Sequence, residues 1–135
     1  PRLPSLFWVM LGMMVMLVLL CILAQAFAGE PIYLKASWYS LESLKKEGTY
    51  AYSHGQMANG QNFRDDLLVC AVRLFSLGSM VRVTNLANKK SVVVLVGDRI
   101  GKRFAKTRID LSRRAFMAIA DLKQGLVQVK VELIP

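Results

Sequence analysis

The stretch Lys90–Ser112, KSVVVLVGDRIGKRFAKTRIDLS, holds a five-residue apolar run, Val92–Val96, that ends on Gly97 and Asp98 before a basic loop. An unbroken, mostly β-branched run of this kind fits a strand covered on both faces, since an open face would show alternating polar residues. Gly97 is expected to let the chain turn, so that a rigid element holds the Asp98 carboxylate at its end. On these residues alone Asp98 has two readings. It closes a turn or pairs with Arg99, or it belongs to a functional site.

Outward from this strand, Met80–Asn85 (MVRVTN) alternates apolar and polar residues with period two, and Asn88 with Lys89 supplies a turn. The two runs therefore form a hairpin with Asp98 at its far end. Tyr33–Ser40 (YLKASWYS) and Leu67–Val72 read as further strands, and Leu126–Leu133 (LVQVKVEL) alternates as the last one. Ser43–Gln61 is rich in Gly, Ser and polar residues and reads as a loop. Ser112 is an N-cap residue before Arg113–Ala120, one short helix that Gly125 ends. Asp110, just ahead of that cap, is expected to hydrogen-bond the free N–H groups of the helix. Five or six short strands with one helix make the chain mainly β and point to a small barrel.

The N-terminal run Leu6–Ala24 is apolar throughout and is followed by Ala26-Phe27-Ala28, the small-x-small pattern of a signal-peptidase site. Residues 1–28 are therefore expected to be a signal peptide cleaved after Ala28, with an uncleaved membrane anchor as the alternative because the run exceeds a usual signal core. Residues 29–135 form one exported domain, in the periplasm or cell envelope. Cys21 follows the bulky Leu20, which argues against lipidation. Cys70 alone lies in the exported part, so no intrachain disulfide forms there, and its apolar neighbours place it in the core.

The chain has 18 Lys plus Arg against 9 Asp plus Glu, a formal net charge of +9. Export turns the implied anionic partner from nucleic acid to cell-wall polymer or membrane surface, although clusters such as Lys102-Arg103, Lys106 and Arg113-Arg114 also suit a merely solvated face. One His and scattered carboxylates form no recognisable metal-ligand set, and no cofactor is expected. The loop Tyr50–Phe63, YAYSHGQMANGQNF, is built to present side chains. Trp38, Tyr50, Tyr52 and Phe63 suit stacking on sugar faces, with His54, Asn59 and Gln61 bonding hydroxyls; the plainer reading buries Trp38 and Phe63 and leaves His54 on the surface.

Five pieces occur in order: A-S-W-Y-S at Ala36–Ser40, A-N-G-x-x-F at Ala58–Phe63, L-G-S-x-V-R-V-T-N-L at Leu77–Leu86, D-R at Asp98-Arg99 and I-D-L-S at Ile109–Ser112. Together they resemble the rare lipoprotein A (RlpA) family, over nearly all of the exported part. The resemblance implies a six-stranded double-psi β-barrel and an exported, wall-associated protein. It also implies lytic transglycosylase activity, which cuts peptidoglycan glycan strands to a 1,6-anhydro end, with Asp98 as catalytic acid/base. One carboxyl group can serve both proton transfers, because the 6-hydroxyl of the sugar replaces water as nucleophile. Trp38, Tyr39, His54, Asn59, Gln61, Phe63 and Arg99 are the implied substrate-binding residues. Glycan strands are the implied partner, with divisome or envelope proteins as further partners and membrane contact only through an uncleaved N-terminal segment.

The chain departs from the family pattern at three of four polar site residues. Gln61 stands for a glutamate, Arg64 for an aspartate and Val72 for a histidine. Gln61 can still bond a sugar but exchanges no proton at neutral pH, and Val72 does neither. Thr107 stands where an arginine is common, with Arg108 as the nearest replacement, and Asp65, Asp66 and His54 are candidate substitutes for the missing groups. Two functions follow: a transglycosylase working through Asp98, or a glycan-binding or divisome-interaction module that has lost proton transfer. An expansin-like loosening activity is a third reading, because that group shares the barrel and an Asp in its groove.

Overall fold

The computed structural model describes residues 4–27 and 29–135, with side-chain burial described for 4–23 and 29–135. The cleavage position after Ala28 lies outside the described residues. Helix α1, Ser5–Phe27, contains the window Ser5–Leu23, long and apolar enough to cross a membrane, none of it buried. An N-terminal apolar helix of this form fits a signal sequence.

Six strands close into a barrel: β1 Ile32–Tyr39, β2 Val69–Ala71, β3 Met80–Asn85, β4 Ser91–Asp98, β5 Arg108–Ser112 and β6 Val127–Ile134. Their order around the barrel is β1-β5-β2-β4-β3-β6. The pairs β1·β5 and β2·β4 are parallel and the others antiparallel, which is the mixed, double-psi arrangement the resemblance implies. The hairpin is present as expected, with Met80 opposite Leu95 and Thr84 opposite Ser91. Lys89 makes its turn at φ 64.

Period-two alternation builds the interior. Val81 and Val83, Val94 and Val96, Val129 and Val131 are fully buried from three adjacent strands, and Ile109, Leu111 and Phe116 fill the rest. Each such valine contributes about 1.5–3 kcal/mol on leaving water. Cys70 is also fully buried there, and burial foremost pushes its thiol up to about 12. A second, smaller cluster of Tyr39, Met57, Phe63, Val69, Ala71 and Ile100 lies beneath the site.

Four sequence-based expectations change. Strand β4 continues through Gly97 to Asp98, so Gly97 is not a turn. Its missing Cβ makes room for the Asn59 amide, whose Nδ2 would lie 3.2 Å from it, and the Gly97 carbonyl accepts the Asn59 N–H at 3.0 Å. The segment expected as a loop folds into α2, Leu41–Lys46, and α3, Thr49–Ser53, so the domain has three short α-helices rather than one. A reciprocal capping box starts α2, in which Ser40 Oγ accepts the Ser43 N–H and Ser43 Oγ accepts the Ser40 N–H. The third helix, α4 at Arg113–Met117, is shorter than expected, but its Ser112 cap does accept the Ala115 N–H. Asp110 does not reach that helix, because residues 108–112 form β5 and turn its side chain toward Ser37, whose hydroxyl donates to Asp110 Oδ1 at 3.0 Å.

Candidate active site

Strand β2 sits between β4 and β5, and this decides which acids meet. Ala71 is the register partner of Asp98 on one side and of Asp110 on the other. Laterally paired residues share a face of a sheet, so two carboxyl groups flank one small alanine. Both line a cavity of about 250 Å³ with Tyr39, Phe63 and Glu47. A second cavity of about 520 Å³ shares Tyr39, Glu47 and Asp110 with the first and extends to Trp38, Arg103 and Arg108. The two adjoin at Tyr39, Glu47, Ile100 and Asp110 as one groove, with Asp98 and Arg99 in the first part and Arg103 and Arg108 in the second.

Asp98 is fixed from both flanks. Its Oδ1 accepts the Ala58 N–H at 3.1 Å and the Arg99 N–H at 2.8 Å, which ties the A-N-G loop to the end of β4. Arg99 lines the first cavity, yet its Nη1 donates to the carbonyls of Val72 at 2.7 Å and Phe75 at 2.6 Å, so much of its charge goes to holding the chain after β2. Asp110 is half-buried. Burial foremost, with the nearby charges of Glu47 and Asp98, pushes its carboxyl up to about 6, against the opposing Ser37 hydrogen bond and Arg108. An acid in that range can give and recover a proton near neutral pH.

Tyr39 and Phe63 stack at 4.5 Å between centroids and form the floor. Trp38 lines the second cavity while its Nε1 donates to the Leu122 carbonyl at 3.1 Å, which fixes the indole plane. Phe104 lines the same cavity between two guanidinium groups, with Arg103 Cζ at 4.5 Å and Arg108 Cζ at 4.3 Å from its ring centre. The Arg108 foreseen as a replacement cation is thus at the groove.

Other residues singled out from sequence lie outside both cavity linings. Asn59 and Gln61 bond each other, through Nδ2 to Oε1 at 3.4 Å and through the Gln61 N–H to Asn59 Oδ1 at 2.9 Å, in the loop beside Asp98. His54 is an exposed left-handed residue at the end of α3, and Tyr52 is 93% exposed. Tyr50 packs under Lys45, whose Nζ is 5.0 Å from the ring centre. Asp65 accepts the Leu41 N–H at the start of α2, and Asp66 pairs in two contacts with Arg64, so the proposed substitutes are engaged elsewhere. Val72 is in the barrel core.

Asp110 and Glu47 are the groove acids that sequence reasoning did not assign. For Asp110 the signal was present, because Ile109 and Leu111 on either side are buried and alternation puts Asp110 on the other face of β5. Glu47, at the C-terminal end of α2, had no such pattern. Among the described residues no three His, Cys, Asp or Glu side chains gather into a metal site.

The protein family described as lytic transglycolase matches residues 33–131. Endolytic peptidoglycan transglycosylase RlpA of Rickettsia felis is 41% identical over 102 residues, covering 74% of this chain and 41% of that protein. The chain thus spans less than half the length of this curated relative. Among solved structures, Streptomyces papain inhibitor shares 20% identity over 81% of this chain and 98% of its own, with a TM-score of 0.62. A mutant Clavibacter michiganensis expansin in complex with cellohexaose has a TM-score of 0.56 at 20% identity, over 78% of this chain and 51% of its own. At such identities these two likenesses concern the fold alone. With the matched region running from β1 into β6 and the closed barrel in place, the chain belongs to the lytic transglycolase family, as an RlpA-like double-psi β-barrel.

Proposed function

We propose that the protein is an exported, peptidoglycan-directed enzyme of lytic transglycosylase type, with Asp98 and Asp110 as its working pair. The observation that carries this reading is the placement of both carboxyl groups against Ala71 in one groove, one of them with a pKa near 6. The peptidoglycan transglycosylase names of the relatives support the same substrate class. Glycan rings lie along the groove beside the partly exposed Trp38, with Tyr39 and Phe63 buried beneath, and the Arg103 and Arg108 side faces the anionic parts of the polymer.

Asp110, in its protonated form, gives its proton to the glycosidic oxygen as that bond to the anomeric carbon breaks. The Asp98 carboxylate, fixed by two backbone N–H groups, stabilises the positive charge that develops there. The 6-hydroxyl oxygen of the same sugar then bonds to the anomeric carbon and its proton returns to Asp110, which restores the acid and leaves a 1,6-anhydro ring. This reading moves the acid/base role expected of Asp98 to Asp110 and leaves Asp98 as the charge-stabilising partner. What supports giving the proton to Asp110 is its raised pKa, while Asp98 is held by N–H donors on Oδ1.

Digestion of purified peptidoglycan with mass detection of anhydromuramic ends tests this reading. Asp98→Asn and Asp110→Asn are each expected to lower product formation by about 100-fold or more. Absence of anhydro ends with the unaltered chain removes the enzyme. A glycan-binding module is the second reading, favoured by Val72 in the core and Gln61 outside the cavity lining. It requires retention on peptidoglycan without product. Export to the periplasm or cell envelope rests on α1, as a cleaved signal or a retained anchor, and cell fractionation with sizing of the mature chain separates the two.

A further inference from the structure

The guanidinium groups of Arg64, Arg73, Arg99 and Arg114 each donate to a carboxylate or a main-chain carbonyl. Among the described residues Arg103 and Arg108 donate to no protein acceptor and form no ion pair. Both instead lie on one ring, with Cζ atoms 4.5 Å and 4.3 Å from the centre of Phe104. Two like charges held on one ring repel each other, and an anion beside them offsets that cost. Arg82 and Arg113 also lack a protein acceptor, but they line neither part of the groove. The backbone fixes the arrangement. Phe104 ends the 3-10 turn Lys102–Phe104, its N–H donates to the Gly101 carbonyl at 2.9 Å, and its ring packs against the cluster of Tyr39 and Ile100. Arg108 opens β5 opposite Lys35 of β1. All three side chains line the second cavity beside Trp38, and both arginines reach solvent.

We infer that Arg103, Phe104 and Arg108 form a carboxylate-binding subsite that selects muramic acid, the acid-bearing sugar of the strand, over an uncharged sugar. This rests on the glycan reading and names the group taken at the cationic side of the groove. The carboxylate comes either from the lactyl group of a stem-free strand or from the peptide attached to that group. A carboxylate carries a single charge on two coplanar oxygens, which matches the edge of a guanidinium. Glu47 and Asp110 line the same cavity and disfavour a doubly charged phosphate there. Because Asp110 belongs to this cavity, seating the acid-bearing sugar in it sets which of the two alternating glycosidic bonds meets the acid.

The test is titration calorimetry of the full chain, held in mild detergent, with stem-free and stem-bearing soluble strands. Each strand is used before and after its carboxylates are converted to neutral methylamides. Conversion is expected to weaken binding about tenfold for the strand that supplies the carboxylate, the loss of a charge-assisted contact at a half-exposed site. Arg103→Gln with Arg108→Gln is expected to bind both forms equally. Lys90→Gln with Lys123→Gln removes two exposed charges outside the groove and is expected to keep the tenfold difference. Strands of both types that bind the unaltered chain equally before and after conversion would overturn the subsite and leave the glycan reading in place, whatever the folding of the variants. Equal losses in the two double variants assign the effect to net charge and also overturn it. No binding to any strand removes the glycan reading and the subsite together, whereas carboxylate-dependent binding without anhydro ends removes the reaction and leaves the subsite standing.

Discussion

Replacing Asp110 by Asn removes a charge that the site holds at a disadvantage, and the effect on stability depends on pH in a defined way. In the folded chain the carboxyl stands at about 6 against its ordinary 3.8. Below 3.8 the group is protonated in both folded and unfolded chains, and its contribution is fully present. As pH rises toward 6 the unfolded chain releases the proton first, so stability is lost through this window and the loss is complete above 6. A displacement of about 2 units at 1.36 kcal/mol each sets the cost near 3 kcal/mol, and solvent reaching a half-buried group reduces it toward about 1–2 kcal/mol. Asparagine keeps an oxygen for the Ser37 hydroxyl and never ionises. Urea unfolding of both proteins from pH 4 to pH 8 is expected to show Asp110→Asn gaining on the unaltered chain up to pH 6 or so, then holding a constant lead. On peptidoglycan the unaltered chain is expected to lose turnover above about pH 6 as the acid ionises, while the variant stays near background throughout. A stability difference that does not vary with pH, or normal turnover by the variant, would falsify the assignment of the proton to Asp110.

Glu47→Gln removes a charge that raises the Asp110 carboxyl, so the alkaline limb of the turnover profile is expected to move toward acid; an unmoved limb means the two acids are not coupled. Arg99→Ala strips the guanidinium bonds from the Val72 and Phe75 carbonyls and is expected to cost about 2–4 kcal/mol by urea unfolding. A loss below about 0.5 kcal/mol would show that the guanidinium is free to serve the ligand instead. Ser40→Ala breaks the capping box of α2 and is expected to cost about 1 kcal/mol. Because α2 brings Leu44 and Glu47 to the groove, faster amide exchange in residues 41–47 should accompany a raised KM, and wild-type exchange there would count against a role for the cap.

The barrel strands were legible where one element carried its own pattern. Met80–Asn85 matched its strand residue for residue, the valine run lay inside β4, and the last alternating segment became β6. The α2 and α3 helices were hidden because Gly48, Gly55 and Gly60 gave the whole segment the look of a loop, although α2, LESLKK, is made mainly of helix formers and the Ser40 and Ser43 side chains supply its cap. Strand β5 was read as the lead-in to a helix, since five residues with one central Asp carry too little periodicity to separate a strand from a cap.

From its own residues the chain determined that it is a small, mainly β, basic domain behind an apolar N-terminal helix, and that Asp98 ends a buried strand. Those properties follow from side-chain period, apolar burial and charge, which act over a few residues. The company Asp98 keeps was decided only when β2 slotted between β4 and β5, setting Asp110 across Ala71, and when α2 brought Glu47 to the same groove. Ala71 lies 27 positions from Asp98 and 39 from Asp110, and pairings over such separations depend on closure of the whole barrel rather than on any local pattern.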